Sequence, residues 1–167
     1  GFYLDDYDKL LADMAADTKP KILLGVSYAL WDLAERYAPK LQQTIVMETG
    51  GMKGHREELP KEEFHKILTE AFGVETIHSE YGMAELTSQA YSAGRGIFLS
   101  PKWMRVLTRD VNNPMKILPA GKRGAINIID LANISSCAFI ATQDVGRTLA
   151  DGSFMIEGRL TGADIRG

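Results

Sequence analysis

Three short stretches hold residue types that could do chemistry together. Glu48-Thr49-Gly50-Gly51-Met52-Lys53-Gly54 places paired glycines after an apolar run, and with no Cβ in the way the main chain there can lie close against a flat ligand. In Ser79-Glu80-Tyr81-Gly82-Met83-Ala84-Glu85, an aromatic ring can stack on a purine and the next glycine leaves room for a substrate. A carboxylate on the following turn, Glu85, can hold a hard cation such as Mg2+. The third stretch runs from Thr142-Gln143-Asp144-Val145-Gly146-Arg147 through Asp151-Gly152 to Glu157-Gly158-Arg159. An ionised aspartate only accepts, so Asp144 can take both hydroxyls of a ribose, and Arg159 brings a donor fork to the same sugar or to a phosphate.

Each stretch alone also fits a plainer role. The glycine stretch reads equally as a flexible loop, and it does not follow the Gly-x-x-x-x-Gly-Lys-Ser/Thr phosphate-loop pattern. Tyr81 fits a core aromatic, and Glu85 a solvated charge in the first turn of a helix. The third stretch fits a salt-bridged β-hairpin that turns at Asp151-Gly152.

The elements that must position these residues follow from periodicity. Tyr7, Leu10, Leu11 and Met14 lie on one helical stripe, predicting a helix over 5–16. Lys19-Pro20 breaks it, and 21–25 reads as a short buried strand. Ser27 is placed to cap a second helix whose inner face is Leu30, Leu33, Ala34 and Tyr37. A second strand covers 44–47, followed by a loop over 48–59. Pro60 suits the first position of a third helix, buried through Phe64, Ile67, Leu68, Ala71 and Phe72, and 74–77 reads as a third strand. Strands alternating with helices predict βαβ units around a parallel sheet, with ligands expected beyond the carboxyl ends of its strands. From about Gly94 the pattern becomes short strands at 97–99, 104–107, 125–129, 138–141 and 154–156, separated by turn signals such as Pro119-Ala120-Gly121. The fold class is therefore α/β: a Rossmann-like parallel sheet with flanking helices over 1–93, then a smaller β-rich lobe over 94–167.

Composition excludes several classes. The 167-residue chain is 45% hydrophobic and 25% charged, the balance of a folded globular domain rather than a disordered one. Its net charge of −3 gives no footprint for nucleic acid. One cysteine, Cys137, rules out an intramolecular disulfide framework, and three histidines show no zinc-ligand spacing, so a reducing cytoplasm is expected. Cys137 sits in an apolar run and reads as core. No apolar run reaches the length of a transmembrane helix, so no integral membrane contact is expected. The chain starts at Gly1 and stops at Gly167 without a clear helix end, which reads as a piece of a longer protein.

Taken together, the three stretches resemble the adenylate-forming superfamily of acyl-CoA synthetases, peptide-synthetase adenylation domains and firefly-type luciferases. Tyr81-Gly82-Met83-Ala84-Glu85 resembles that family's Tyr-Gly-x-Thr-Glu, with Ala84 in place of the usual threonine. Asp144 and Gly158-Arg159 resemble its ribose aspartate and Gly-Arg, and Gly50-Gly51 precedes Tyr81 as its adenine loop does. Glu-Thr-Gly-Gly-x-Lys-Gly, then Arg56-Glu57-Glu58 and the closing Asp164-Ile165-Arg166-Gly167, are most similar to the bacterial acyl-protein synthetases, the fatty-acid-activating subunits of luminescence systems. The resemblance implies ATP, AMP and Mg2+ as ligands, a carboxylic, expected to be fatty, acid as substrate, a protein cysteine or CoA as thiol acceptor, and an acyl reductase as partner. It implies catalytic roles for Glu85 and Arg159, with Glu85 as metal ligand. Nucleotide contacts fall to Gly50, Gly51, Tyr81, Gly82, Asp144 and Arg159, and substrate contacts to Gly82 and Met83.

The departures are informative. Nothing here matches the family's Ser/Thr/Gly-rich phosphate loop, so the chain alone is expected to be inactive. Thr161 stands where large ligases carry a hinge Asp or Lys, and no C-terminal subdomain follows, which favours the short acyl-protein synthetases over the CoA ligases. An acyl- or aryl-CoA ligase of the phenylacetate type is the nearest alternative. A non-catalytic AMP-binding module, or structural partner of a reductase, is the alternative that Ala84 and Thr161 favour.

Overall fold

The computed structural model describes residues 1–52, 54–56, 59–160 and 162. Lys53 of the glycine stretch, the Glu57-Glu58 pair, the hinge position Thr161 and the closing 164–167 motif lie outside the described residues. The chain divides into two compact units, Gly1–Ser79 and Glu80–Gly167, so the change of pattern near Gly94 falls inside the second.

The first unit runs α1 (Tyr7–Ala16), β1 (Lys21–Val26), α2 (Ser27–Tyr37), β2 (Thr44–Thr49), α3 (Lys61–Phe72) and β3 (Ile77–Tyr81), whose last two residues pass into the second unit. Asp6 caps α1, accepting from the Lys9 amide at 3.1 Å. Strand β1 pairs parallel to β2 in register from Lys21↔Thr44 to Val26↔Thr49, and β3 lies on the other side of β2. Leu23, Val46 and Ile77 project from the sheet into a core completed by Leu30 and Leu33 of α2 and Phe64, Leu68 and Phe72 of α3. Because side chains alternate across a strand, Ile22, Leu24 and Ile45 project from the opposite face, and they are exposed.

The second unit is β-rich. After the short β4 (Ala90–Ser92), strands β5 (Ile97–Phe98), β6 (Met104–Arg109), β7 (Gly124–Asp130), β8 (Phe139–Thr148) and β9 (Phe154–Arg159) form an antiparallel sheet in the order β5-β9-β8-β7-β6. Leu86, Ala90, Phe98, Met104, Val106, Ile126, Ile128 and Phe154 make its core. The β8–β9 ladder slips at Val145/Gly146. A Cβ on Gly146 would sit 2.0 Å from the Met155 carbonyl oxygen, so only glycine lets β9 approach there.

Several local expectations are corrected. Ser27 is the first helical residue of α2, not its cap, and Val26 takes the cap position without a side-chain bond. Pro60 precedes the first residue of α3, one position earlier than expected. Strand β3 starts at Ile77 rather than at 74, and β8 extends to Thr148 rather than stopping at 141. Cys137, expected in the core, is exposed, its thiol donating to the Phe139 carbonyl at 3.3 Å.

Candidate functional site

The second unit brings three of the singled-out residues together. Hairpin β8–β9 places Asp144 directly opposite Arg159, and the turn through Asp151-Gly152 that joins the strands fixes that register. Asp144 Oδ1 lies 3.7 Å from Arg159 Nε. Its other oxygen accepts a 2.7 Å bond from the Tyr81 hydroxyl at the end of β3. The Tyr81 ring meets Phe154 edge-on at 5.5 Å and Phe98 at 5.9 Å, so core packing aims the phenol at the carboxylate. Arg159 also donates through Nη2 to Gln143 Oε1 at 2.9 Å.

Buried bonds hold Asp144 from behind. Its amide donates to Thr142 Oγ1, which itself donates to the Ile126 carbonyl at 3.0 Å. Arg109 is buried with carbonyls and an amide for partners: Nη1 donates to the Ile126 carbonyl and to Asn127 Oδ1, and Nη2 to the Thr142 carbonyl. Burial pulls its guanidinium below the usual arginine range. Asp144 itself is only 8% exposed. It is an acceptor-only group set between a phenol and a guanidinium, and a carboxylate has about four lone-pair directions, which leaves capacity for further hydroxyl donors.

Residues 82–89 follow Tyr81. Gly82 is exposed, and a Cβ there would press on the Gln89 side chain at 3.1 Å. Met83 packs half-buried against the second core, and its carbonyl accepts from the Leu86 amide at 3.0 Å. Glu85 is exposed on a turn and not in the first turn of a helix, and its carbonyl accepts from Asn133 Nδ2 at 2.8 Å. Among the described residues no three His, Cys, Asp or Glu side chains gather as a ready-made metal site. Mg2+ does not require one, since it commonly takes one or two carboxylates with phosphate oxygens and water.

Gly50 and Gly51 belong to the first unit, at the carboxyl end of β2. Gly50 has φ 69°, a left-handed conformation that glycine takes without strain. Beside it lies a cluster that the sequence reading missed. Glu48 is 1% exposed and accepts from Ser27 Oγ at 3.0 Å and from Lys61 Nζ at 2.5 Å, with His65 Nε2 at 3.4 Å. Burial pushes this carboxyl up, but the His65 bond, the Lys61 charge and bond, and Ser79 together bring it down to about 2. Ser27 Oγ also lies 3.2 Å from the Gly50 carbonyl. Further along the loop, Arg56 pairs with Asp32 and Glu35 and covers the Trp31 ring at 4.8 Å, and His55 stacks on Tyr28 at 4.3 Å. The glycine stretch is thus tied to α2 on both sides. The one available signal was an acid before Gly-Gly, with Lys61 and His65 one helical turn apart.

A cavity of about 570 Å³ opens at the other end of the sheet, lined by Leu11, Met14, Lys21, Leu41, Gln43 and Thr44 among others. Lys21 Nζ is already held by the Asp17 and Lys19 carbonyls, and the end of β2 that carries Glu48 lies away from it.

No family model matches the chain. Over 105 residues it is 27% identical to the long-chain-fatty-acid–luciferin-component ligase of Vibrio harveyi, a match covering 60% of this chain and 28% of that protein. Among solved structures, ATP-bound MatB from Rhodopseudomonas palustris superposes with TM-score 0.66 at 19% identity, over 91% of this chain and 33% of that one. The luciferase-like enzyme of the nonluminescent mealworm Zophobas morio gives 0.65 at 16% identity, over 94% and 41%. The chain thus spans roughly a third of the length of the proteins it matches. The fold is that of the C-terminal part of adenylate-forming enzymes, a parallel α/β sheet followed by a curled antiparallel one. No helix among the described residues is long and apolar enough to cross a membrane.

Proposed function

We propose that this chain forms the C-terminal part of the AMP-forming core of an acid-activating enzyme. The enzyme joins a fatty acid to ATP as an acyl-adenylate and passes the acyl group to a protein thiol, as an acyl-protein synthetase does. The observation that carries this reading is the Asp144 carboxylate seated between the Tyr81 phenol and the Arg159 guanidinium, an acceptor, a ring and a fork of the kinds that would engage a mononucleotide. The printed name of the Vibrio relative supports the choice of fatty acid, and an acyl reductase is the natural consumer of the acylated thiol.

In the first step a carboxylate oxygen attacks the α-phosphorus of ATP. The bond to the bridging oxygen breaks and pyrophosphate leaves with its electron pair. In the second, a thiol sulfur attacks the acyl carbonyl, AMP leaves and the thiol proton passes to solvent. The first step is slow without help because two anions must meet, so the site must cancel charge and hold the reactants in line. Asp144 accepts from the ribose hydroxyls, Arg159 orients the sugar and α-phosphate, and Tyr81 stacks on adenine. Gly82 and Met83 border the acyl group. Glu85, exposed and on a turn, would hold Mg2+, which supplies positive charge to the phosphates. The single exposed cysteine suits a cytoplasmic enzyme.

The test is ATP–pyrophosphate exchange by the full-length protein with fatty acids of graded length. Acid-dependent exchange that Glu85→Ala abolishes supports the proposal. No exchange with any acid, or full exchange after Glu85→Ala, overturns it.

A further inference from the structure

Asp130 and Asn133, which none of the three motifs include, grip the loop that carries Glu85. Asp130 ends β7 and is 0% exposed. Its Oδ1 accepts from Ser88 Oγ at 2.7 Å and from the Ala132 amide at 3.1 Å, and its Oδ2 from the amides of Thr87 at 3.1 Å and Ser88 at 2.9 Å. All four lone-pair directions of the carboxylate are thereby used. Asn133, one short 3-10 turn later, donates to the carbonyls of Glu85 and Cys137 at 2.8 and 3.0 Å and accepts from Thr87 Oγ1 at 3.0 Å. Trp103 adds a 2.9 Å bond to Ser88 Oγ.

A fully buried carboxylate that gathers four donors is costly to form and sharply specifies the geometry around it. Burial alone would push the Asp130 carboxyl up, yet the Ser88, Ala132 and Thr87 donors bring it below its ordinary value, so it is ionised and its bonds are charge-assisted. The groups it holds lie on one short segment. Glu85 is fixed through its carbonyl, Thr87 and Ser88 through their amides and hydroxyls, and Leu86 between them is buried. Glu85 and Thr87 are exposed, while Leu86 and Ser88 are buried. These bonds fix the backbone on which the exposed Glu85 stands, as a fully satisfied buried polar network does.

We propose that Asp130 and Asn133 are positioning residues that set where the Glu85 carboxylate stands, and hence how tightly the enzyme takes up a nucleotide with its divalent cation. The inference rests on the function proposed above. Outer-shell partners of metal ligands typically change affinity by about 10- to 100-fold when removed. Asn133 is half-exposed, so Asn133→Ala perturbs the grip without emptying the core, and Thr87→Val and Thr87→Ser separate the hydroxyl bond from side-chain shape.

The experiment uses the full-length protein, with Mg2+ and ATP as probes. In Asn133→Ala and Thr87→Val, the KM for Mg·ATP in pyrophosphate exchange should rise about tenfold while the KM for the acid stays put. Thr87→Ser should restore the wild-type value. In the same variants, amide hydrogen exchange over 83–88 should quicken with no change in the melting temperature of the second unit, a readout independent of activity. Wild-type KM and wild-type amide protection in both variants overturn the inference alone. Absence of exchange in the wild type overturns the proposed function and this inference with it.

Discussion

Replacing Glu48 by glutamine tests the buried cluster most sharply, because the substitution keeps shape and removes charge. At about 1.4 kcal/mol per tenfold change in proton affinity, a carboxyl held at about 2 rather than 4.5 is worth about 3 kcal/mol to the folded first unit at neutral pH. Lys61, 39% exposed on its side chain, can return to water in the variant, so little offsetting strain is expected from it. The sign follows from the lowered value. Stability is fully present above pH 4.5 and is lost as pH falls through the folded value near 2. Urea unfolding followed by Trp31 fluorescence, in a Trp103→Phe background so that the first unit reports alone, should show Glu48→Gln about 3 kcal/mol less stable at pH 7. That gap should close steadily between pH 4.5 and 2. A variant as stable as wild type at pH 7, or a gap that does not change with pH, would refute the view that Glu48 is an ionised, paired carboxylate.

Other substitutions probe the remaining contacts. Tyr81→Phe keeps the ring against Phe154 and Phe98 but removes the 2.7 Å bond to Asp144; since bonds to charged groups are worth about 1.5–3 kcal/mol, the second unit should unfold at lower urea by that amount, read by Trp103 fluorescence. Gly146→Ala forces a Cβ to within 2.0 Å of the Met155 oxygen and should cost about 1–3 kcal/mol, seen as a lowered melting temperature. Arg56→Lys keeps the charge but loses the fork to Asp32 and Glu35 and the plane over Trp31. Its cost, about 1 kcal/mol, should shrink in 1 M salt.

Much of the scaffold was legible because one period dominated each element. The stripes on α1 and α3 bury what their spacing says they should, whereas β1, expected to be buried throughout, buries Leu23 and leaves Ile22 and Leu24 exposed. The failures share a cause. Strand β3 runs on through His78-Ser79-Glu80-Tyr81, and β8 through Thr142-Gln143-Asp144, where polar residues stand at buried positions. Ser79, Thr142 and Asp144 are all buried, and no local pattern announces that. Ser27 reads as a helix cap from its neighbours, but its hydroxyl is engaged by Glu48, 21 residues away. Asp144 and Arg159 could be paired from the hairpin turn between them, whereas the arrival of Tyr81 at the same carboxylate, 63 residues distant, depends on the packed sheet. Asp130 drew no reading from its local sequence, because three of its four donors come from Thr87 and Ser88, more than 40 residues away.

The central claim is that Tyr81, Asp144 and Arg159 hold one mononucleotide within a larger acid-activating enzyme. Calorimetry of the full-length protein with AMP and with a non-hydrolysable acyl-adenylate, in wild type and Asp144→Ala, tests it most directly. The account predicts that the acyl-adenylate binds at least about 100-fold more tightly than AMP, as analogues of a reaction intermediate do. It also predicts that Asp144→Ala weakens both by about 10- to 100-fold. Equal binding of either ligand by wild type and Asp144→Ala would contradict it.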